Sequence, residues 1–463
     1  MTNIASHHRI VHTPQWPVVI CAMVMLAVVG AVAARLGWGG PVGSISAIAC
    51  GVGIVILILL VGLVTRRRAW LIRNRFKLAV LVVSVAGGLA AAELSLRLGE
   101  PSGPSPWMID PEIGWVPRPS VVTYMYGPKG ETLHRTVTDE NGFRSEPLRP
   151  DSRKIAVVGD SITFGIMVSQ EAIATSLLAT RLGSDYQVIN ASAGGWGTDQ
   201  EYLFFRRNVL PQRPEVVIWV LCASNDITNN AEDTCSWRAG LRKPRYTMDD
   251  AELILHEIPR DQQPTATLLD PSPRIGSLRL LERFRRAVVN VRTRTAMADG
   301  GTKLLQPGET PSPEHVQADQ SHFSIFATQP SERFRASVTV TAALLREADQ
   351  TATEAGARIL FVAIDPVAGR TWMPQSDDQA KAHGWDPAEL SIEAGRENML
   401  TLAEAAGVDL YIYKPPHGSC FENDMHFSPT GHAYFADYLH RLVSGQVAPT
   451  RQRTQALTFG KRH

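Results

Sequence analysis

The chain has 463 residues, which exceeds one average domain and predicts two to three structural units. Its 46 basic and 45 acidic residues leave a net charge of +1, so no global field indicates nucleic acid or an acidic partner. The five cysteines are scattered and include no CxxC pair, which argues against a disulfide scaffold and against a cysteine zinc site.

Three apolar segments in the first hundred residues are predicted to span a membrane. Residues 17–34 carry no charge over 18 positions, and residues 36–64 carry none over 29. Both reach the ~20 apolar residues that cross a hydrocarbon core. Residues 78–92 form a shorter third segment, which Glu93 and a second apolar run extend.

Basic residues predict the orientation of these spans. The first loop holds only Arg35, whereas the second loop contains Arg66, Arg67, Arg68, Arg73, Arg75 and Lys77. The positive-inside rule places the basic loop in the cytoplasm. We therefore expect a multi-pass protein of the cell membrane, with a cytoplasmic N-terminus and everything after about residue 98 on the extracytoplasmic (periplasmic or extracellular) side. A cleaved signal peptide is the competing interpretation of the first span, but two further spans follow it.

The rest of the chain alternates between strand and helix patterns, which predicts an α/β fold with a central parallel sheet and helices on both faces. The anchor (1–98) is followed by a Pro- and Gly-rich extended lead-in with a short hairpin (99–151), the α/β domain (152–446) and a disordered tail (447–463). The predicted strands are 155–158, 187–189, 216–221, 358–364 and 409–413, and the predicted helices are 170–182, 198–209, 336–355, 387–406 and 428–443. Residues 232–332 break the alternation. They are predicted to be an insertion, part lid and part mobile loop, with a small strand pair and a basic helix at 278–291.

Four short blocks follow predicted strands and carry polar residues. GDSIT contains Ser161, NASAGGWGT contains Gly195, CASND contains Asn225, and NDMHFSPTGH contains His426. The carboxyl ends of parallel strands meet at one edge of a sheet, so we expect these blocks to converge there.

In their order, the four blocks resemble those of the SGNH (or GDSL) hydrolases, over roughly residues 154–443. The resemblance implies a flavodoxin-like three-layer sandwich and no metal or organic cofactor. It also implies that Ser161 is the nucleophile, that His426 is the general base, and that Gly195 and Asn225 supply oxyanion donors. The chemistry is consistent, because a serine hydroxyl needs an imidazole to take its proton and the oxyanion that forms needs preorganised donors, which include the Ser161 N–H.

The residue that orients the base departs from the family pattern. The family has an aspartate three residues before the histidine, where this chain has Asn423, and Asp424 lies two before. Either Asp424 orients His426 from a shifted backbone, or Asn423 does so more weakly, and we favour Asp424. In the third block, Ala223 replaces the usual glycine.

The remaining candidates have structural alternatives. Ser161 is also suited to capping the helix that follows it, and Trp196 is as well suited to the core as to a substrate pocket. His432 is predicted to be structural. Cys235 and Cys420 form a candidate disulfide between the insertion and the base loop, if the compartment is oxidising.

Together these features predict a membrane-anchored extracytoplasmic serine esterase, a carboxylic ester hydrolase. Its expected partners are the lipid bilayer and an acyl-ester substrate, an O-acyl (acetyl-like) ester of an envelope glycan or lipid. Two alternatives stay open: an O-acetyltransferase acting on an envelope polysaccharide, and a non-catalytic SGNH-fold envelope assembly protein.

Overall fold

The structure is a computed structural model that describes residues 68–99, 103–127, 133–222, 225–235, 241–250, 252–265, 323–365, 385–421 and 424–450. The predicted spans at 17–34 and 36–64, the predicted helix at 278–291, Ala223 and Asn423 lie outside these residues. The chain divides into two compact units, one of which contains the N-terminal helix and the other the α/β fold.

The first described element is a helix of 32 residues, α1 (Arg68–Gly99). Its section Arg73–Ser95, of 23 residues, is the one helical segment among the described residues that is long and apolar enough to cross a membrane. At 1.5 Å per residue this section extends ~35 Å, against a hydrocarbon core of ~30 Å. The third predicted span lies within it, and its insertion in a bilayer stays a prediction.

The lead-in contains two antiparallel hairpins where one was predicted. Strand β1 (Trp107–Asp110) pairs with β2 (Gly114–Pro117), and β3 (Val122–Tyr126) pairs with β4 (Leu133–Val137). Trp115 and other aromatic residues of this segment are buried in the same hydrophobic cluster as one face of the central sheet. The lead-in is therefore a packed part of the α/β unit, because its aromatic side chains gain burial there.

Within the described part of the chain, the central sheet has five parallel strands, β5 (Arg153–Gly159), β6 (Tyr186–Ser192), β7 (Val216–Leu221), β10 (Arg358–Ile364) and β11 (Leu410–Tyr413). Their spatial order is β6-β5-β7-β10-β11. The described α-helices of this unit are α2 (Ser161–Phe164), α3 (Ala174–Leu182), α4 (Thr198–Phe204), α5 (Asp226–Asn230), α6 (Glu332–Glu354), α7 (Ile392–Ala406) and α8 (Pro429–Val443). Numbered along the chain, the strand order is 2-1-3-4-5, which is flavodoxin-like and confirms the predicted fold class.

The sheet is buried on both faces, which explains its continuous apolar runs. Along β7, Trp219 and its alternate neighbours belong to one hydrophobic cluster, while Ile218 and Val220 belong to the other. Helices α4, α6 and α7 cover the first face, and α3 and α8 cover the second. All five strands point the same way, so the segments that follow β5, β6, β7 and β11 emerge at one edge of the sheet.

The insertion begins with the predicted strand pair, β8 (Arg245–Asp249) and β9 (Glu252–His256), which form an antiparallel hairpin. Just before β8, the buried Lys243 forms an ion pair with the buried Asp199 of α4. Removing one partner of such a buried pair typically costs ~3–5 kcal/mol, so this pair anchors the start of the insertion to the sheet's helical layer.

Candidate active site

The nucleophile turn joins β5 to the short helix α2. A side chain at Gly159 would clash with Thr163 and with the Val220 carbonyl, so only glycine fits between the strand and the turn. Asp160 caps the helix, because its Oδ1 accepts a hydrogen bond from the Ile162 N–H at 2.9 Å. The cap is therefore Asp160, and the Ser161 hydroxyl is available for another role.

The Ser161 hydroxyl meets the histidine of the fourth block. The distance from Ser161 Oγ to His426 Nε2 is 2.9 Å, and His426 Nδ1 lies 2.6 Å from Asp424 Oδ1. These distances form a continuous hydrogen-bonded chain of hydroxyl, imidazole and carboxylate, the arrangement in which a base activates a serine nucleophile. The fold thus brings together three residues that are distant in sequence, since Ser161 and His426 are 265 positions apart.

Asp424 contacts the base in two ways. Its Oδ1 also accepts the backbone N–H of His426, at 2.8 Å, so the carboxylate is held in place against the histidine that follows it. Burial acts to raise the pKa of Asp424, but its hydrogen bonds to His426 and the charge of that residue outweigh burial and lower the pKa below its ordinary value. Asp424 is therefore a carboxylate at neutral pH, as needed to hold an imidazolium.

The base lies on a loop that closes on itself between β11 and α8. Cys420 and Phe427 form an isolated antiparallel bridge, and the Phe421 N–H donates to the His426 carbonyl at 3.0 Å. Ser428 then caps α8 by accepting the Gly431 N–H at 3.2 Å. The bridge and the cap fix both ends of the segment that carries His426.

Of the predicted oxyanion donors, Gly195 follows strand β6 and Asn225 contacts the nucleophile turn. Gly195 has a φ of +75°, a left-handed conformation that suits glycine. The Asn225 side chain caps no helix, and its Nδ2 donates to Asp160 Oδ2 at 2.9 Å. Asp160 fixes the plane of the amide through one of its two hydrogens, and within the described part of the chain the second hydrogen donates to no other group.

Asp160 is fully buried beneath these donors. Burial raises its pKa, while hydrogen bonds from the Asn225 side chain and the Ile162 N–H act in the opposite direction. Its Oδ2 also lies 3.4 Å from the Ser161 hydroxyl, so one carboxyl group contacts Ser161 and Asn225 and also caps the helix α2.

The structure contradicts two of the lesser predictions. Trp196 is fully buried, packs against Phe204 and donates from Nε1 to the Trp115 carbonyl at 2.9 Å, so it is a core residue and lines no substrate pocket. Cys235 and Cys420 are not joined by a disulfide. They pack in different hydrophobic clusters on opposite faces of the sheet, which keeps their sulfur atoms apart.

His432 has the structural role that the sequence predicted. It is fully buried, and its Nδ1 accepts the Ala174 N–H at 3.2 Å. Burial lowers its pKa to about 3, so the ring is neutral at physiological pH.

The sequence patterns did not indicate two supporting residues, Asn229 and Arg144. Asn229, on α5, donates from its side chain to the carbonyls of Gly195 and Trp196 at 3.4 and 3.3 Å, which steadies the Gly195 turn. Arg144, in the lead-in, bonds to the segment behind Ser161. The only signal for Arg144 was a lone arginine beside aromatic and glycine residues in ENGFRSEP.

Comparison with known proteins finds similarity at the level of structure. No family model matches the chain, and no curated protein matches it. The solved structures it resembles include the lipase/acylhydrolase from Enterococcus faecalis, at 13% identity and a TM-score of 0.29, covering 65% of this chain and 99% of that one. The aryl esterase of M. smegmatis (14% identity) and a carbohydrate acetylesterase from Sinorhizobium meliloti (11% identity) each have a TM-score of 0.31, covering 64% of this chain and 100% of theirs.

These neighbours are esterases and lipases. Because the identities and TM-scores are low, the chemistry of this chain is argued from its own site geometry and from the four sequence blocks that resemble those of the SGNH hydrolases.

Proposed function

We propose that this chain is a membrane-anchored serine esterase that hydrolyses an O-acyl ester of an envelope glycan or lipid. The observation that carries the proposal is the hydrogen-bonded chain from Ser161 Oγ through His426 to Asp424, at 2.9 and 2.6 Å. A non-catalytic protein has no need to keep these three groups aligned within hydrogen-bonding distance.

The reaction follows from the positions of these groups. His426 Nε2 takes the proton of Ser161 as Oγ attacks the acyl carbon, and Asp424 stabilises the imidazolium that forms. The oxyanion meets the N–H groups of Ser161 and Gly195 and the Asn225 amide. His426 then gives its proton to the departing alcohol, and water attacks the acyl-enzyme in a second cycle that returns Ser161 to its resting state.

The membrane side of the proposal rests on α1 and on the sequence before it. The apolar section Arg73–Ser95 has the length of a membrane span, and basic residues precede or begin it. We propose that this end is cytoplasmic and that the α/β unit lies on the extracytoplasmic side, where envelope glycans and lipids carry acyl esters.

The test uses the full-length protein in detergent micelles, with p-nitrophenyl acetate and an O-acetylated polysaccharide as substrates. Acetate release by the wild type, lost in Ser161→Ala, is the expected result. A parallel reaction with de-acetylated polysaccharide as acceptor separates hydrolysis from transfer, since an O-acetyltransferase would move the acetyl group to the glycan. A folded wild type that consumes neither ester would contradict the proposal.

A further inference from the structure

The guanidinium of Arg144 lies behind the nucleophile turn, and the residue is only 1% exposed. Its Nη1 donates to the carbonyls of Phe164 and Gly165, both at 2.7 Å, and its Nη2 donates to the Val168 carbonyl at 2.6 Å. Nε donates to Gln170 Oε1 at 3.1 Å. One side chain from the lead-in therefore binds both ends of the segment that follows Ser161.

Burying this charge is costly, and the carbonyl groups compensate for it. Among the described residues, no carboxylate forms an ion pair with Arg144. Burial lowers its pKa to about 9, and the more distant Glu171 opposes that change, so Arg144 is charged at neutral pH. Because a buried charge is tolerated only when its hydrogen bonds are satisfied, the three carbonyls and Gln170 must stay in place around Arg144.

The segment that Arg144 holds has an unfavourable backbone. Gly165 has a φ of +77°, which glycine adopts readily, but Met167 has a φ of +65°, which a residue with a side chain rarely adopts. Such residues cost ~1–3 kcal/mol and persist only where the surrounding structure enforces them. The same segment closes the helix of the nucleophile, because the N–H groups of Gly165 and Ile166 donate to the Ser161 carbonyl at 3.1 and 3.3 Å.

We propose that Arg144 is a positioning residue for the nucleophile. Its planar fork holds the carbonyls of Phe164, Gly165 and Val168 in one arrangement, and the backbone that they fix sets Ser161 at its 2.9 Å distance from His426. The inference rests on the proposed esterase function, because its effect on rate requires that Ser161 be the nucleophile.

The competing explanation is that Arg144 only attaches the lead-in to the α/β unit. Arg207 provides the matched control, because it too joins the lead-in to the unit but contacts no part of the nucleophile turn. It binds Asp110 at 2.7 Å and Glu112 at 3.0 Å, at the turn between β1 and β2.

The first experiment compares Arg144→Ala, Arg144→Lys and Arg207→Ala in the full-length protein. Each rate is divided by the concentration of active sites, which is measured by titration with a fluorophosphonate. Folding is checked by circular dichroism. We expect Arg144→Ala to lower kcat by about 10- to 100-fold, as for misplacement of a reacting group by ~1 Å, with KM changed by less than about threefold. Arg144→Lys should give an intermediate kcat, because one ammonium cannot span three carbonyls. Arg207→Ala should keep kcat within about twofold, since it touches no reacting group.

Chemical rescue adds a measurement that would not change if Arg144 only attached the lead-in to the α/β unit. Guanidinium ion at millimolar concentration should restore part of the kcat of Arg144→Ala by binding to the vacated carbonyls, whereas sodium ion should not. Folded Arg144→Ala with the wild-type kcat, or an equal loss in Arg207→Ala, would overturn the inference.

Hydrogen exchange separates this inference from the proposed function, because it needs no substrate. Arg144→Ala should speed the exchange of the Gly165 and Ile166 amides, and Arg207→Ala should not. An inactive wild type would refute the esterase proposal. Unchanged exchange at Gly165 and Ile166 would refute the positioning role, whether or not the wild type is active.

Discussion

The two ends of the hydrogen-bonded array, Ser161 at one end and His426 with Asp424 at the other, are held in different ways. Ser161 is 6% exposed and lies between a buried strand and a turn that Asp160 and Arg144 fix from the inside. The side chains of His426 and Asp424 are 19% and 29% exposed, and they lie on a loop held by one backbone bridge and a helix cap. The nucleophile is thus set by the core, and the base by local loop geometry.

This difference explains one of the two departures from the SGNH pattern, the shifted aspartate of the base loop. A substitution beside Ser161 would have to fit a packed interior, where even a small change in side-chain volume is destabilising. The base loop tolerates an aspartate two residues before the histidine, because its backbone can bring Asp424 Oδ1 to both the ring and the backbone N–H of His426. Departures are therefore expected in the loop and not in the nucleophile turn.

The largest expected effect lies on the nucleophile side. Ser161→Ala should lower kcat by about 10⁴-fold or more, because the remaining donors bind the ester without a nucleophile. The variant should keep the wild-type melting temperature within a few degrees, since only one hydroxyl is removed. Ester hydrolysis by purified wild type and variant measures the ratio, and a variant with more than a tenth of the wild-type rate would exclude Ser161.

The next effect tests the base loop. Asp424→Ala should lower kcat by about 10³- to 10⁴-fold, because His426 loses the carboxylate that holds its tautomer and stabilises its charge. Asn423→Ala is the matched neighbour and should stay within about threefold of the wild type. The opposite ranking of the two variants would assign the orienting role to Asn423.

A smaller loss is expected at the oxyanion donor that Asp160 orients. Asn225→Ala should lower kcat by about 10²- to 10³-fold with little change in KM, the usual result of removing one such donor. Steady-state kinetics with p-nitrophenyl acetate gives both constants. If KM rises while kcat is unchanged, then Asn225 binds the substrate in its ground state and does not stabilise the oxyanion.

The smallest effect concerns stability at His432, which joins α8 on the base side to α3 on the nucleophile side. Its folded pKa is about 3 against an ordinary 6.5, so between these pH values the unfolded chain binds a proton that the folded chain does not. The stabilisation is complete above pH 6.5 and decreases as the pH falls towards 3.

His432→Asn keeps an acceptor for the Ala174 N–H but cannot titrate. Between pH 7 and pH 5, the free energy of unfolding of the wild type should fall by about 2 kcal/mol relative to the variant. Asp139, whose pKa burial raises to about 6, titrates in the same window, but it is present in both proteins and cancels in the difference. Urea unfolding of both proteins at the two pH values measures this difference in the free energy of unfolding. An equal change in wild type and variant would show that His432 is not the titrating group.

The sheet could be predicted from sequence because its strands are short apolar runs separated by helical patterns. All five predicted strands are found, and so are the predicted helices that fall on described residues, although residues 170–172 and 387–389 form 3-10 turns and residues 205–209 form a π-helical turn after α4. The predicted helix at 278–291 lies outside the described residues. Local periodicity determines these elements, and the carboxyl ends of parallel strands then bring Ser161, Gly195 and Asn225 to one edge.

Long-range contacts with no local pattern could not be predicted. The aromatic residues of the lead-in gave no sign that Trp115 would donate to the Gly194 carbonyl at 3.0 Å, 79 positions away. Trp196 follows Gly195 in its block, where the sequence left a core role and a pocket role equally open, and its ring is buried in the core. The contact of Asp424 with His426 depends on the backbone geometry of the loop, and spacing alone left the choice between Asp424 and Asn423 open.

The most direct test of the central claim is fluorophosphonate labelling of the full-length protein, followed by mass mapping of the modified peptide. If Ser161 is activated by His426, wild type is labelled on Ser161, and His426→Ala is labelled at least about 100-fold more slowly, because a serine without its base is a poor nucleophile. Folded wild type that stays unlabelled, or labelling at Ser161 that His426→Ala leaves unchanged, would contradict the account.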